Sequence, residues 1–430
     1  MSCQRELMND LLILLSLKHS LSSANSLSDW SHNVTNCNWT GVTCSHCRQR
    51  VVSLNLTDNQ LTGTIPSSLG NLSSLNTLDL SDNNLHGGIP VELGMLTQLN
   101  WLSLWRNQLT GHIPSSLSNC TLLQELELTD NNLHGGIPVE LVSQLSKLLS
   151  ILYLDDNKIK GKIPSGIGNL TWLTDLGLSD NRFNGTIPST LGQLPNLEIL
   201  YLYRNNLRGT IPENFGQAKR LGLLSLSGNM LSRKMPESLG NLPQLRDLYL
   251  RHNQLSGKIS ASLGRCITLE LVDLSYNKLT GSIPREVSGL PNLQFYFNVS
   301  NNLLQGYLLE MRKMVMVQAI DVSLNKFSGE IPAALSSCIN LQYLNVSWNS
   351  FGGPIPTPLT HLKNFQDIDL SKNNFSGSIP MAFKDMKTLQ HINFSSNRLT
   401  GEVPREGVFM TVDESAIMGN LGLCGTWIHL

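Results

Sequence analysis

The sequence predicts an α/β solenoid, a superhelix of about fifteen stacked coils with a parallel sheet on its concave side and a cap at each end. Three observations carry this expectation. An asparagine returns fifteen times, at Asn59, Asn83, Asn107, Asn131, Asn157, Asn181, Asn205, Asn229, Asn253, Asn277, Asn302, Asn325, Asn349, Asn373 and Asn397. Its spacing is 24 residues, with 26 after Asn131, 25 after Asn277 and 23 after Asn302 the departures. Apolar residues precede each asparagine at −8, −5 and −3, and a Leu-x-Gly-x-Ile-Pro segment follows it, as from Leu109 to Pro114 and from Leu279 to Pro284. A fixed period of this length marks one unit that cannot bury its apolar face alone and does so by stacking.

In chain order, residues 1–49 read as an N-terminal cap, 50–405 as the solenoid and 406–430 as a partial C-terminal cap. The apolar run Leu11 to Leu17 follows Arg5 and resembles the core of a signal peptide. Glu6 and Asp10 precede it, however, and no small-residue cleavage site follows closely. It therefore reads as the cap helix, with the signal peptide expected to be missing.

Within a coil, the apolar pair at −5 and −3 has a period of two, which makes this part a short strand with alternating faces. The asparagine comes where the strand turns. Its amide carries donors and an acceptor, so it can satisfy backbone groups of its own and neighbouring coils. The glycine that follows permits positive φ, and the proline stops strand growth. The remainder, such as Ser67 to Ser74, is a short helical or 3-10 return. Each buried leucine is worth roughly 1.5–3 kcal/mol, so the stack has ample apolar content.

The consensus Leu-x-x-Leu-x-Leu-x-x-Asn-x-Leu-x-Gly-x-Ile-Pro resembles the plant-specific class of leucine-rich repeat. Leu11 to Trp30, with Cys37-Asn38-Trp39-Thr40-Gly41-Val42-Thr43-Cys44, resembles the cap of plant receptor-like kinases. Gly419-Asn420-Leu421-Gly422-Leu423-Cys424-Gly425 resembles the start of their C-terminal cap. The subfamily of flagellin and elongation-factor-Tu receptors is the most similar in flavour. The resemblance implies an extracellular, glycosylated sensing domain at the plasma membrane, normally followed by a transmembrane helix and a Ser/Thr kinase. It also implies a peptide or protein ligand, immune or developmental signalling, and a co-receptor kinase recruited by coils 13 to 15 and the end cap. Cys37 and Cys44, together in the cap, are expected to form a disulfide, and Cys424 lacks its usual partner.

No transmembrane run and no kinase motif occurs in the sequence, so it reads as an ectodomain or a truncated gene product and not as an enzyme. His86 and His134 are copies of one Leu-His-Gly-Gly-Ile-Pro loop, not a catalytic pair. The formal net charge is −1 and 15% of residues are charged, which argues against nucleic acid as a partner. No cofactor is expected, and Cys37, Cys44, His46 and Cys47 match no standard zinc spacing. Cys120, Cys266 and Cys338 recur 11 residues before a ladder asparagine, in coils 4, 10 and 13. These coils are too far apart for a disulfide, so all three should be buried thiols. Cys3 and Cys47 are left over.

Positions −6, −4, −2 and −1 face outward on the strand side. Ten of the fifteen Trp and Tyr residues fall there: Trp101, Trp105, Tyr153, Tyr201, Tyr203, Tyr249, Tyr276, Tyr296, Tyr343 and Trp348. Such residues anchor protein interfaces, although strands also favour aromatics. Coils 4 to 6 add Glu125, Glu127, Asp130, Asp155, Asp156, Asp175 and Asp180, and coils 7 to 9 add Arg204, Arg251 and His252. Eleven Asn-x-Ser/Thr acceptor sites occur, at Asn33, Asn38, Asn55, Asn71, Asn119, Asn169, Asn184, Asn298, Asn345, Asn374 and Asn393. Asn55, Asn298, Asn345 and Asn393 sit at −4, so glycans would cover the strand side at the ends and spare the middle. The expected ligand is an extended peptide across coils 3 to 10, basic near coils 4 to 6 and acidic near Arg204 and Arg251. A secreted inhibitor resembling polygalacturonase-inhibiting proteins, or a truncated copy, is the competing reading. Arg233 in place of glycine, Ser260 in place of proline and Gly306-Tyr307-Leu308-Leu309 mark coils 8, 9 and 11 as drifted or as places where a second, lateral strand is interrupted. The irregular spacing near coils 11 and 12 suggests a kink.

Overall fold

The computed structural model describes residues 2–22, 27–31, 35–45, 49–145, 148–308, 314–411 and 413–425, with side chains from residue 8 onward. The chain divides into two compact units, residues 1–208 with 217–221 and residues 209–216 with 222–430.

The first unit begins with a helix, α1 (Ser2–Ser20). Ile13, Leu14 and Leu17 of α1 are buried, and so is Asp10. Asp10 accepts from Arg50 through both oxygens, Nε to Oδ2 at 2.8 Å and Nη2 to Oδ1 at 3.0 Å, and from the Val51 backbone N–H at 3.1 Å. This clamp ties the cap helix to the first strand of the stack. Trp30 and Trp39 stack at 5.1 Å between centroids and are almost fully buried. The Cys37–Cys44 disulfide is present, as the resemblance implied.

Each coil then repeats one path. A three-residue strand pairs in parallel with its neighbours, so that Leu54, Leu78, Leu102, Leu126, Leu152, Leu176 and Leu200 fall in one inward column. All seven are fully buried. Short 3-10 turns, such as Ser67–Asn71 and Val91–Met95, form the returns. Coil 4 uses a short helix instead, α2 (Val139–Gln144), where the spacing lengthens to 26 residues. In the second unit the matching column is Leu224, Leu248, Val272, Phe297, Ile320, Leu344, Ile368 and Ile392. Phe327, Phe351 and Phe375 stack at 6.1 and 6.3 Å in coils 12 to 14.

The asparagines form the expected ladder. Asn107 Nδ2 donates to Leu104 O (3.2 Å) and Trp105 O (3.3 Å) in its own coil and to Leu80 O (3.0 Å) one coil back. Its Oδ1 accepts from Leu85 N at 2.9 Å. The ladder runs one rung past Asn397: Asn420 donates to Ile417 O (2.8 Å) and Phe394 O (2.9 Å) and accepts from Leu399 N (3.0 Å). Gly422–Cys424 then pairs in parallel with Arg398–Glu402.

A second strand follows each ladder asparagine, and these strands make two lateral sheets, one over coils 1 to 3 and one that starts at coil 4. Of the two readings of coils 8, 9 and 11, drifted repeats or an interrupted lateral strand, the interruption is corrected. Arg233 pairs with Leu255, Ser256 with Lys278, Thr280 with Leu303 and Gln305 with Lys326 without interruption. Arg233 holds the pairing because it adopts the glycine conformation, with φ at +69°. Ser260 stands in for proline at φ −72° and caps the return through its own hydroxyl. The expected kink falls in part on residues 309–313, outside the described residues. A side chain at positive φ costs about 1–2 kcal/mol. Arg233→Gly is therefore expected to raise stability by about 1 kcal/mol, with a higher denaturation midpoint as the check. A lower midpoint would show that the arginine side chain stabilises the fold.

Candidate functional site

The candidate site is the outward strand face, where positions −6 and −4 project from each strand. At −1 every coil adopts positive φ, for example Asp156 at +49°, Asp180 at +48° and Arg204 at +48°. All coils share this turn, so it is structural, and the side chain placed on it is what distinguishes one coil from another.

In the first unit, Trp101 and Trp105 are 41% and 36% exposed. Arg106 lies over Trp105 at 5.9 Å. Two serines, Ser81 of coil 2 and Ser103 of coil 3, link Asp79 to the first acidic coil and were missed in the sequence. Ser81 Oγ donates to Asp79 Oδ1 at 2.5 Å and meets Ser103 Oγ at 2.8 Å, and Ser103 Oγ donates to Glu127 Oε2 at 2.9 Å. The carboxyl of Glu125 is raised above its usual range by burial, then by Glu127 and Asp175.

Coils 5 to 7 hold the densest group. Register places Gly177 between Tyr153 and Tyr201. Asp155 and Tyr153 fold into the space this glycine leaves: a Cβ on Gly177 would stand 1.9 Å from Asp155 Oδ2 and 2.6 Å from Tyr153 Cδ1. Tyr153 donates its hydroxyl to Asp175 Oδ1 at 3.2 Å, and burial together with Asp175 raises its pKa. Asp155 Oδ1 accepts from the Ser179 backbone N–H at 2.7 Å, yet burial pushes the carboxyl up to about 6. Asp156 is raised by burial and by Asp130 and Asp180. Tyr201 and Tyr203 meet edge to face at 6.1 Å. Arg204, expected to receive an acidic group, pairs with Asp180 of the preceding coil at 3.3 Å. Gly177 was also missed. Its only sequence signal is a glycine at −4, where the neighbouring coils carry Tyr or Glu.

A raised carboxyl pKa favours the folded state below its ordinary value near 3.8 and gives up that advantage as pH rises through about 6. Asp155→Asn keeps an acceptor for Ser179 and removes the charge. The variant is expected to match the parent near pH 4 and to melt higher at pH 7. Parallel melting profiles of the two proteins between these pH values would refute the assignment.

In the second unit, Tyr249 is half-buried, while Arg251 and His252 are exposed. Tyr276 lies under both: the Arg251 guanidinium sits 5.3 Å from its ring centroid, and His252 stacks on it at 4.1 Å. Burial, then Arg251, lowers the His252 pKa, so the imidazole is neutral at pH 7. The structure thus gathers Tyr249, Arg251 and His252 in this unit and the other candidates, from Trp101 to Arg204, in the first.

The acceptor asparagines on the strand face differ from one another. Asn298 is 5% exposed, and its Nδ2, the atom a glycan would take, donates to the Tyr296 hydroxyl at 2.9 Å. Asn345 does the same to Tyr343 at 3.1 Å but is less buried. Asn393 donates to Asp369 at 3.4 Å, and Asn55, which is exposed, to Asp79 at 3.3 Å. Asn38, Asn71, Asn119, Asn169, Asn184 and Asn374 are exposed, and Asn33 lies outside the described residues. Cys120, Cys266 and Cys338 are buried thiols, and Cys424 is an exposed one. The side chains of Cys3 and Cys47 lie outside the described residues. Among the described residues no group of three His, Cys, Asp or Glu could hold a metal ion, and no helix is long and apolar enough to cross a membrane.

Laddered asparagines, paired parallel strands and a disulfide-closed cap define a leucine-rich-repeat solenoid whose strand face carries aromatic and charged residues. The chain is a leucine-rich-repeat protein, homologous to the ectodomains of plant leucine-rich-repeat receptor kinases. Residues 7–45 match the leucine-rich-repeat N-terminal domain, 116–281 the leucine-rich repeat region, and 49–109, 340–362, 364–386 and 388–407 leucine-rich repeats. The LRR receptor-like serine/threonine-protein kinase EFR of Arabidopsis thaliana is 47% identical over 72 residues, 16% of this chain and 7% of that kinase. The ectodomain of the receptor kinase GASSHO1/SCHENGEN3 from Arabidopsis thaliana, solved with CASPARIAN STRIP INTEGRITY FACTOR 2, is similar at TM-score 0.84 and 34% identity. That match covers 92% of this chain and 51% of that one, so the chain spans about half the length of this ectodomain. The plant peptide hormone receptor RGFR1, solved with RGF2, is similar at TM-score 0.76 and 35% identity, over 86% of this chain and 62% of that one.

Proposed function

We propose that this chain is the extracellular ligand-sensing domain of a plant receptor-like kinase, binding a peptide or protein on its strand face in immune or developmental signalling. The observation that carries this reading is the group Tyr153, Tyr201 and Tyr203 beside Asp155, Asp175 and Asp180 in the first unit. Tyrosines of this kind contribute large contact area at low entropic cost, and half-buried carboxylates there select a cationic side chain. In the second unit, the Arg251–Tyr276–His252 group offers one exposed cation on an aromatic platform, suited to an acidic residue or a terminal carboxylate. The two solved relatives named above hold ligands, and RGFR1 is a peptide hormone receptor. Glycosylation at the exposed acceptor sites and a co-receptor kinase docking on coils 13 to 15 belong to the same reading.

The test is retention of peptides from pooled microbial and plant libraries by the secreted chain, identified by mass spectrometry. A retained basic peptide is expected to lose affinity about 30-fold or more on Tyr201→Ala, the scale of one interface anchor. Unchanged affinity in this variant and in Arg251→Ala would remove the strand face as the site. Retention of an intact cell-wall-degrading enzyme in place of a peptide would favour the inhibitor.

A further inference from the structure

The lateral sheet of the second unit carries a feature that ligand sensing on the strand face does not use. Fourteen of the fifteen coils place glycine four residues after the ladder asparagine, and all fourteen hold positive φ. Coil 8 alone places an arginine there, and the chain holds Arg233 in that conformation at φ +69°. Strain kept at one position of a regular array points to a use for the side chain. Arg233 lines an open cleft of about 520 Å³ with Thr210, Glu213, Lys234 and Ser256. Lys234 extends over Gly257 and Lys258 over Gly281, since a Cβ on either glycine would stand 3.0 Å from the lysine Cγ. Lys278 lies directly across from Ser256 in the sheet. Four cations therefore cover three successive coils. Among the described residues none of the four side chains enters an ion pair or hydrogen bond, and Glu213 is the one acid lining the cleft.

We infer that this lateral cleft binds a linear acidic polysaccharide, whose successive carboxylates lie along Arg233, Lys234, Lys258 and Lys278. Strands repeat at about 4.8 Å, so Lys234 and Lys258 hold the same place in successive coils, with Arg233 beside the first and Lys278 opposite Ser256, two residues from the second. A stiff chain with one carboxylate per sugar meets such an array at less entropic cost than a flexible acidic peptide does. The hydroxyls of Thr210 and Ser256 beside the cations suit a sugar ring better than a bare anion. The guanidinium matches a carboxylate in a two-pronged contact, and the lysines act as point charges.

The probe is an α-1,4-linked galacturonate oligomer, immobilised, with the full chain in solution. Retention at low salt that weakens as salt rises is expected. Arg233→Gly, and separately Lys234→Ala with Lys258→Ala, are expected to weaken it about tenfold or more, the scale of one lost charge-assisted contact. Arg233→Gly should at the same time melt no lower than the parent, which separates lost binding from lost folding. Lys363→Ala with Lys387→Ala, on the return side, is expected to leave retention unchanged. No retention at low salt would overturn the inference, and so would undiminished retention in the cleft variants or an equal loss in the return-side variant. Equal retention on immobilised polyglutamate would overturn the assignment to a polysaccharide.

Discussion

Asn181→Ala is expected to cost about 3–5 kcal/mol. Its Nδ2 donates to Leu154 O (2.8 Å), Ser179 O (2.9 Å) and, more weakly, Leu178 O (3.4 Å), and its Oδ1 accepts from Ile159 N (2.9 Å). The residue is 8% exposed, so water cannot replace these partners. Each buried backbone group left without a partner costs about 1–3 kcal/mol, and the substitution orphans several in two coils at once. Because coils contact only their neighbours, the damage should be local. Hydrogen exchange is expected to quicken in coils 5 and 6 first, and the denaturation midpoint is expected to fall. Asn184→Ala, three residues on and exposed, is the control, expected to change stability by less than about 0.5 kcal/mol. If the two substitutions cost the same, the ladder is not what holds the coils in register.

Asp10→Ala comes second, at about 3–5 kcal/mol. Its carboxylate is fully buried, and Arg50 beside it is 8% exposed. Removing the acid leaves a buried guanidinium without its counter-charge, which costs far more than the pair contributed when intact. The Val51 N–H loses its acceptor as well. The cap helix should then release from the first coil, seen as proteolysis within α1 at temperatures where the repeats still protect their amides. Replacing both partners with apolar residues, Asp10→Leu with Arg50→Met, should recover much of the loss. A double variant as unstable as Asp10→Ala would mean that the pair's hydrogen bonds, and not the orphaned charge, set the cost.

Much of this structure was legible in the chain because the information is local and repeated. A period of 24 with leucines at −8, −5 and −3 states which side chains point inward, and every residue in the two inward columns is buried as the pattern requires. The ladder followed from amide chemistry at a turn, and the isolation of Cys120, Cys266 and Cys338 from the distance between their coils. The outward places of Trp101, Tyr153, Tyr201 and Arg251 followed from the same two-residue alternation.

What the pattern could not supply is anything that depends on how one coil sits against the next. Asp10 and Arg50 are 40 residues apart and read as two ordinary charges, until packing buries both. Gly177 reads as a gap, and only register shows Asp155 folded across it, with its carboxyl pushed up in consequence. Asn298 has the sequence of a glycan acceptor, while the sheet buries its amide against Tyr296. Asn420 continues the ladder inside a segment with too little leucine pattern to announce a further rung. Arg233 reads as drift or as a break in the lateral strand, and parallel pairing with coil 9 holds it at a positive φ without a break. The sequence by itself determined the coil, its inside and its outside, because these depend on residues a few positions apart. Tertiary structure decided which outward side chains meet, which are buried and which are left as unpaired charge, because those facts depend on residues a full coil apart.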